Sequence, residues 1–247
     1  GQLKEMSCRN VLLKMQNDGL IQLPQPIRGN GNKFRHLTPK KTAAGENQEL
    51  IDVKLGELLP IKIQPVCKDD ASLWNELMHR YHYLGYSALV GNQMRYLVRD
   101  RHERVIAALG FSGAAWAMEG RDKWIGWDSS RRKENLDLIV NNSRFLILPW
   151  VKCKNLASHT LGKVAKQLPR DWQEKYATKP LLMETLVEDA RFEGTCYKAA
   201  NWIYLAKTKG RGKYDTHTKC ALPVKSIFVY PLCNSSKKLL TGGGFAE

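Results

Sequence analysis

Three clusters of residues in this chain could do chemistry. The first is Tyr81, His82, Tyr83 and Tyr86 in "YHYLGYSALVGNQMRYLV", where Gly85 breaks a helix. Polar-tipped rings at a helix-to-loop transition can stack a base, hold a metal or relay a proton, because histidine titrates near neutrality and tyrosine donates a hydrogen bond. The plainer reading is that the tyrosines cover the rim of a core. His82, placed where the chain leaves the helix, is the leading individual candidate, with Tyr83 beside it.

The second cluster is "VNNSRFLILPWVKCKNLASHTL". Arg144 precedes an apolar strand, and Lys152, Lys154, Asn155 and Ser158 crowd the start of the next helix. A helix N-terminus carries unpaired N–H groups and a positive dipole end, so an anion is stabilised there. Asn155 and Ser158 also suit simple helix caps, and the two readings are compatible.

The third is "LLMETLVEDARFEGTCYKAANWIYLAKTKGRGKYDTHTK". Glu184 lies inside an apolar strand, with Met183 and Thr185 facing the other side of the sheet. A carboxylate so placed is either paired with a base such as arginine, or has a raised pKa and serves catalysis. Glu188 and Asp189 follow at the strand end, where sites in open sheets commonly form. Tyr197, Asn201 and Trp202 fall on one short helix. In "KTKGRGK", Lys207, Lys209, Arg211 and Lys213 alternate with small residues, which suits a loop approaching phosphates. No Walker loop, G-x-S-x-G elbow or H-E-x-x-H is present.

The elements that must position these residues follow from periodicity and breakers. Residues 3–15 carry one apolar helical face with Arg9 and Lys14, Asp18-Gly19 stops it, and residues 20–23 predict a short strand ended by Pro24. This segment, residues 1–27, suits either part of a winged helix-turn-helix or a satellite helical hairpin. Residues 28–58 predict a basic linker, either a solvated tether or an arm along a phosphate backbone. Residues 59–247 predict one core domain. Its strands are expected at 60–66, 93–98, 104–116, 144–148, 180–187, 203–205 and 226–230. Its helices are expected from Asp70 to Tyr81, from Asn155 to Leu168 with Pro169 as the stop, and near 195–202. The order implies an α/β (α+β) mixed sheet with flanking helices.

The 247 residues suffice for a real core, and 43% apolar content excludes a disordered chain. Lys and Arg number 39 against 24 Asp and Glu, a net charge of +15 that points to a polyanionic partner, DNA by default. Six cysteines without a C-x-x-C pair suit reduced thiols and a cytoplasmic location. No apolar run has the length of a membrane span, and the first residues lack signal-peptide architecture, so no membrane partner is expected. The opening "GQLKEM" predicts a fragment that begins partway into its N-terminal module.

"NDGLIQLPQP", "WNELMHRYHYLGY", "RDKWIGW", "VNNSRFLILPWVKCKNLASHTL", "LPRDW" and "METLVEDARFEGTCYKAANWIYLAKTKGRG" together resemble the DruA family of bacterial Druantia anti-phage defence systems, over nearly all of the chain. The element order is similar to GNAT acyltransferases, and most of all to the GNAT-like phage Mom proteins, which modify adenine in DNA. That resemblance implies a GNAT-like sheet and a site at His82, Tyr83, Arg144, Ser158, Asp189 and Tyr197. Acetyl-CoA-binding members carry a glycine-rich R/Q-x-x-G-x-G/A turn where this chain has Lys152-Cys153-Lys154-Asn155-Leu156-Ala157, so acetyl-CoA is not the expected cofactor.

The expectation is therefore a DNA-binding defence component that acts on a base or nucleotide near His82, Tyr83, Glu184 and Asp189. Its partners would be DNA and other Druantia subunits, including a helicase-like protein. One alternative is a non-catalytic DNA-recognition subunit that recruits the helicase-like partner. Another is a mobile-element nuclease or transposase using Glu184, Asp189 and Asp215 with a divalent metal.

Overall fold

The computed structural model describes residues 5–24, 38–89, 91–210 and 222–243. The chain divides into two compact units, Gly1–Leu37 and Thr38–Glu247.

In the first unit, α1 (Glu5–Asn17) ends where Gly19 takes a left-handed φ of 72° and the Leu20 N–H returns to the Met15 carbonyl at 2.9 Å. Lys14 is exposed on this helix. The helix and its glycine stop are as expected, but residues 20–23 form no strand. A lone run of four residues gains no ladder without a partner strand.

Among the described residues, the second unit is built on seven strands in the order β2-β3-β4-β5-β7-β9-β8. They are β2 (Lys62–Pro65), β3 (Gln93–Arg99), β4 (Val105–Gly113), β5 (Ile139–Ile147), β7 (Leu182–Glu188), β8 (Ile203–Lys207) and β9 (Lys225–Pro231). All neighbours are antiparallel except β5 and β7. A parallel pair needs a crossover, here supplied by α6 (Leu156–Tyr176). A separate parallel pair joins β1 (Ile51–Asp52) to β6 (Val151–Lys152). The remaining helices are α2 (Leu55–Leu58), α3 (Ala71–Tyr81), α4 (Glu119–Ile125), α5 (Ser129–Asn135), α7 (Thr195–Ala199) and α8 (Ser236–Leu240). This is the mixed sheet with flanking helices that the sequence implies.

Adjacent residues of β3 show how the layers form. Arg95 donates to Asn75 of α3 at 2.9 Å, whereas the Tyr96 hydroxyl donates to Asp171 of α6 at 3.0 Å, so the two helices cover opposite faces. Trp74, Trp172, Tyr96 and Phe111 fill the layers on either side.

Several boundaries differ from expectation for physical reasons. Residues 38–58 are not linker. The Thr42 N–H and hydroxyl donate to buried Glu76 at 2.8 and 2.7 Å, the Tyr81 hydroxyl donates to the Gly45 carbonyl at 3.0 Å, and β1 pairs with β6. Pro169 does not stop α6. The helix loses one backbone donor there, but continues because Trp172 is buried and Tyr176 both accepts from the Gln93 N–H and donates to its carbonyl at 2.7 Å. Asn155 does not cap α6 through its side chain, because its backbone is left-handed at φ 67°. β5 begins five residues earlier than expected, at Ile139, and α4 and α5 occupy a polar stretch for which no helix was expected.

Candidate functional site

The site grows from a fault in the sheet. β5 and β7 pair over three residues only, Ile139–Asn141 against Leu182–Glu184, and then part. On the other side of β5 the register slips between Gly110 and Phe111, whose partners are Arg144 and Asn142, so Ser143 bulges without a Cα partner. The parted strands enclose a wedge-shaped cavity of about 710 Å³ lined by Asn142, Ser143 and Phe145 on β5 and Thr185 and Val187 on β7.

A closed hydrogen-bond network plugs the apex. The Thr185 hydroxyl donates to the Asn142 carbonyl at 2.9 Å, and the Tyr197 hydroxyl donates to Asn142 Oδ1 at 2.8 Å. Asn142 Nδ2 in turn donates to the carbonyls of Gly110 and Arg144 at 3.2 and 3.0 Å. The Tyr197 ring packs against Trp202 and Phe228, and burial raises its hydroxyl pKa well above the ordinary value.

Aromatic rings line the mouth. His82 follows the last turn of α3, with its N–H on the Met78 carbonyl, and Gly85 at φ 62° turns the chain away. The imidazole stacks on Tyr83 with centroids 4.8 Å apart, and Tyr83 meets Phe192 edge-on at 5.3 Å. Arg191 lies 5.3 Å from the Tyr83 centroid and is held by Glu188 at 2.9 Å. His82 Nδ1 accepts from the Leu84 N–H at 3.2 Å. Burial, then the nearby Arg144 charge, pushes the His82 pKa down to about 4. The ring is therefore neutral at pH 7 with its proton on Nε2, which makes it a donor. Burial, then Glu188, raises the Tyr83 hydroxyl pKa. Arg144 donates to the Ser143 carbonyl and the Ser87 hydroxyl at 2.7 and 2.9 Å.

Of the residues expected at the site, His82, Tyr83 and Tyr197 line the cavity, and Arg144 stands close enough to act on His82. Ser158 turns its hydroxyl to the Asn155 carbonyl at 3.1 Å, while its neighbour Ala157 reaches the lining. Glu184 faces the other side of β7, because alternation sends Thr185 into the wedge. There it pairs with Arg121 of α4 at 2.8 Å, both fully buried, and accepts from the Ala115 N–H at 2.9 Å. Of the two roles open to it in the sequence, the arginine pair is the one realised. Asp189 lies past the end of β7, outside the lining. It accepts from the Ser226 hydroxyl at 2.6 Å and pairs with Lys207 at 2.9 Å, contacts that lower its pKa. His82 therefore meets neither carboxylate, and among the described residues the acidic group lining the cavity is Glu193.

Among the cationic candidates, Lys207 is paired with Asp189 and Lys209 with Glu119 at 2.7 Å. Lys152 and Lys154 are exposed around a second cavity of about 550 Å³, which they share with Lys54, Asp52 and Glu57. Arg211, Lys213, Asp215 and the Arg9 side chain lie outside the described residues. Among the described residues no three His, Cys, Asp or Glu side chains converge as metal ligands, and no helix is long and apolar enough to cross a membrane. The sequence reading missed Thr185, Arg191 and Phe192. The available signal was an Arg-Phe pair between an acidic strand end and Gly194.

The fold and site define a mixed α/β protein with a split central sheet and an aromatic-mouthed wedge. Its residues 14–219 match the family model described as Druantia protein DruA, and the chain belongs to that family, a component of the multi-subunit Druantia anti-phage defence systems. Comparison with curated proteins gives no match. Similar solved structures include a Vibrio cholerae spermidine N-acetyltransferase in complex with CoA and spermine (11% identity, 72% of this chain and 98% of that chain, TM-score 0.44). A chimera of the Vibrio cholerae enzyme and hSSAT has 7% identity over 70% of this chain and 95% of that chain, with a TM-score of 0.45.

Proposed function

We propose that this chain is the DNA-binding component of its defence system and that the wedge receives an unpaired base. The observation that carries this reading is the run of His82, Tyr83 and Phe192 rings, flanked by Arg191, at the mouth of a 710 Å³ cavity. Base–aromatic stacking suits any base, and a flipped or single-stranded base needs such a pocket. The His82 Nε2–H would donate to a base acceptor, while Arg144, Lys152 and Lys154 would face phosphates. The chain's net charge of +15 supports phosphate binding.

The engagement of Glu184 by Arg121 and of Asp189 by Ser226 and Lys207 favours recognition without chemistry at those carboxylates. In this reading the chain marks DNA in the cytoplasm for other subunits, including a helicase-like one. The test is binding of the whole chain to single-stranded and duplex DNA across a salt series. Binding should weaken steeply with salt, and Tyr83→Ala with Phe192→Ala should weaken single-strand binding about tenfold or more. Salt-independent binding, or no binding, overturns the proposal.

A further inference from the structure

Six of the seven tryptophans are withdrawn from solvent to some degree, but Trp116 is 60% exposed. It lies in the short loop between β4 and α4, and that loop is clamped at both ends. The Ala115 N–H donates to Glu184 Oε1 at 2.9 Å and the Ala115 carbonyl accepts from Arg121 at 2.8 Å, so both its peptide groups are tied to one buried ion pair. On the far side of Trp116, the Met118 N–H donates to Asp122 at 3.1 Å. Trp116 and Ala117 are thus presented between two fixed points. The Arg132 guanidinium lies 5.7 Å from the Trp116 ring centroid and is itself held by Asp122 at 3.3 Å.

A rigidly held, exposed indole with a guanidinium against it has already lost the loop freedom that binding would otherwise cost. Trp and Arg are also the residues that most often carry recognition energy. The surroundings select the partner. Lys123 and Lys209 both converge on Glu119 in the first turn of α4, leaving an excess of positive charge beside the loop. An aromatic face edged by cations fits a stacked base whose phosphate lies alongside. Because Glu184 and Thr185 point to opposite faces of β7, this surface is separate from the wedge cavity.

We infer that Trp116 and Arg132 form a second stacking platform, for an unpaired base of single-stranded nucleic acid. This rests on the DNA-binding reading above. The test is ultraviolet cross-linking of the whole chain to a single-stranded oligonucleotide carrying 5-iodouracil, followed by tryptic mapping, together with affinities of the Trp116→Ala variant. An adduct is expected in the peptide 105–121, which contains Trp116. Trp116→Ala should weaken single-strand binding about tenfold and duplex binding much less, with thermal stability unchanged. Wild-type binding with adducts only elsewhere, or unchanged affinity in the variant, overturns the platform and leaves the wedge reading intact. A variant that binds DNA normally but loses a Druantia subunit makes it a protein-docking surface and also overturns it. If the wild-type chain binds no nucleic acid, the platform and the wedge reading fail together.

Discussion

Arg121 and Glu184 meet at 2.8 Å with neither side chain exposed, and their pair ties α4 to the interior strand β7. Two charges taken out of water are costly to separate, since removing one partner leaves the other uncompensated. Glu184→Gln and Arg121→Met should each lower stability by about 3–5 kcal/mol, read as a shift in the urea midpoint. Arg121→Met should cost more, because Arg121 also donates to the Ala115 carbonyl and to Asp122. The double variant Arg121→Met, Glu184→Leu should recover much of the loss. If Glu184→Gln removes anti-phage protection at full stability, Glu184 has a chemical role that its packing does not explain.

Tyr197 has the opposite profile to a reactive tyrosine. Its hydroxyl is committed to Asn142 Oδ1 at 2.8 Å, and its ring is packed between Trp202 and Phe228. Tyr197→Phe keeps the packing and leaves a buried acceptor unpaired, so it should cost about 1–3 kcal/mol. DNA affinity at low temperature should stay unchanged. Loss of protection with no loss of stability would instead assign the hydroxyl to chemistry.

Gly194 marks where the loop carrying Phe192 enters α7. Its φ is 67°, and a Cβ there would stand 2.6 Å from the Phe228 ring. Left-handed backbone costs a residue with a Cβ about 1–2 kcal/mol before any clash. Gly194→Ala should therefore lower the melting temperature by several degrees, and Phe228→Leu in the same chain should relieve part of that loss. A neutral Gly194→Ala would mean that the loop and the Phe228 ring can move apart freely.

The parts of this fold that depend on nearby residues were legible in the sequence. Gln93 to Val98 and the apolar run after Arg104 read as strands around a charged turn, and the α3 stripe ends at His82 as expected. Glu184 in an apolar strand pointed to a buried carboxylate that is either paired with a base such as arginine or catalytic, and the pair with Arg121 decides between them. The strand could not announce which arginine, because Arg121 lies 63 positions away on a helix that composition did not reveal. The wedge was invisible for the same reason. It exists because β5 and β7 stop pairing after Asn141 and Glu184 and because Ser143 bulges, and both are properties of long-range register. Pro169 misled because a local breaker was outweighed by the tertiary contacts of Trp172 and Tyr176.

His82 sets a pH dependence whose sign follows from its burial. Its pKa in the folded chain is about 4, against an ordinary 6.5, because burial and then Arg144 disfavour the charged ring. Between those values the unfolded chain takes up a proton that the folded chain does not, so stability falls as pH drops from about 6.5 toward 4. The full window amounts to about 3 kcal/mol. Below it the folded ring also charges, and its Nδ1, once protonated, can no longer accept from the Leu84 N–H. His159, whose pKa is also lowered by burial, contributes in the same direction. The difference between wild type and His82→Asn therefore isolates the His82 share. Urea midpoints measured from pH 7 to pH 4 should fall more steeply for wild type than for His82→Asn. Parallel curves would mean that the imidazole is as easily charged in the folded chain as in water, and the Nε2–H donor assigned to the wedge would then lose its basis.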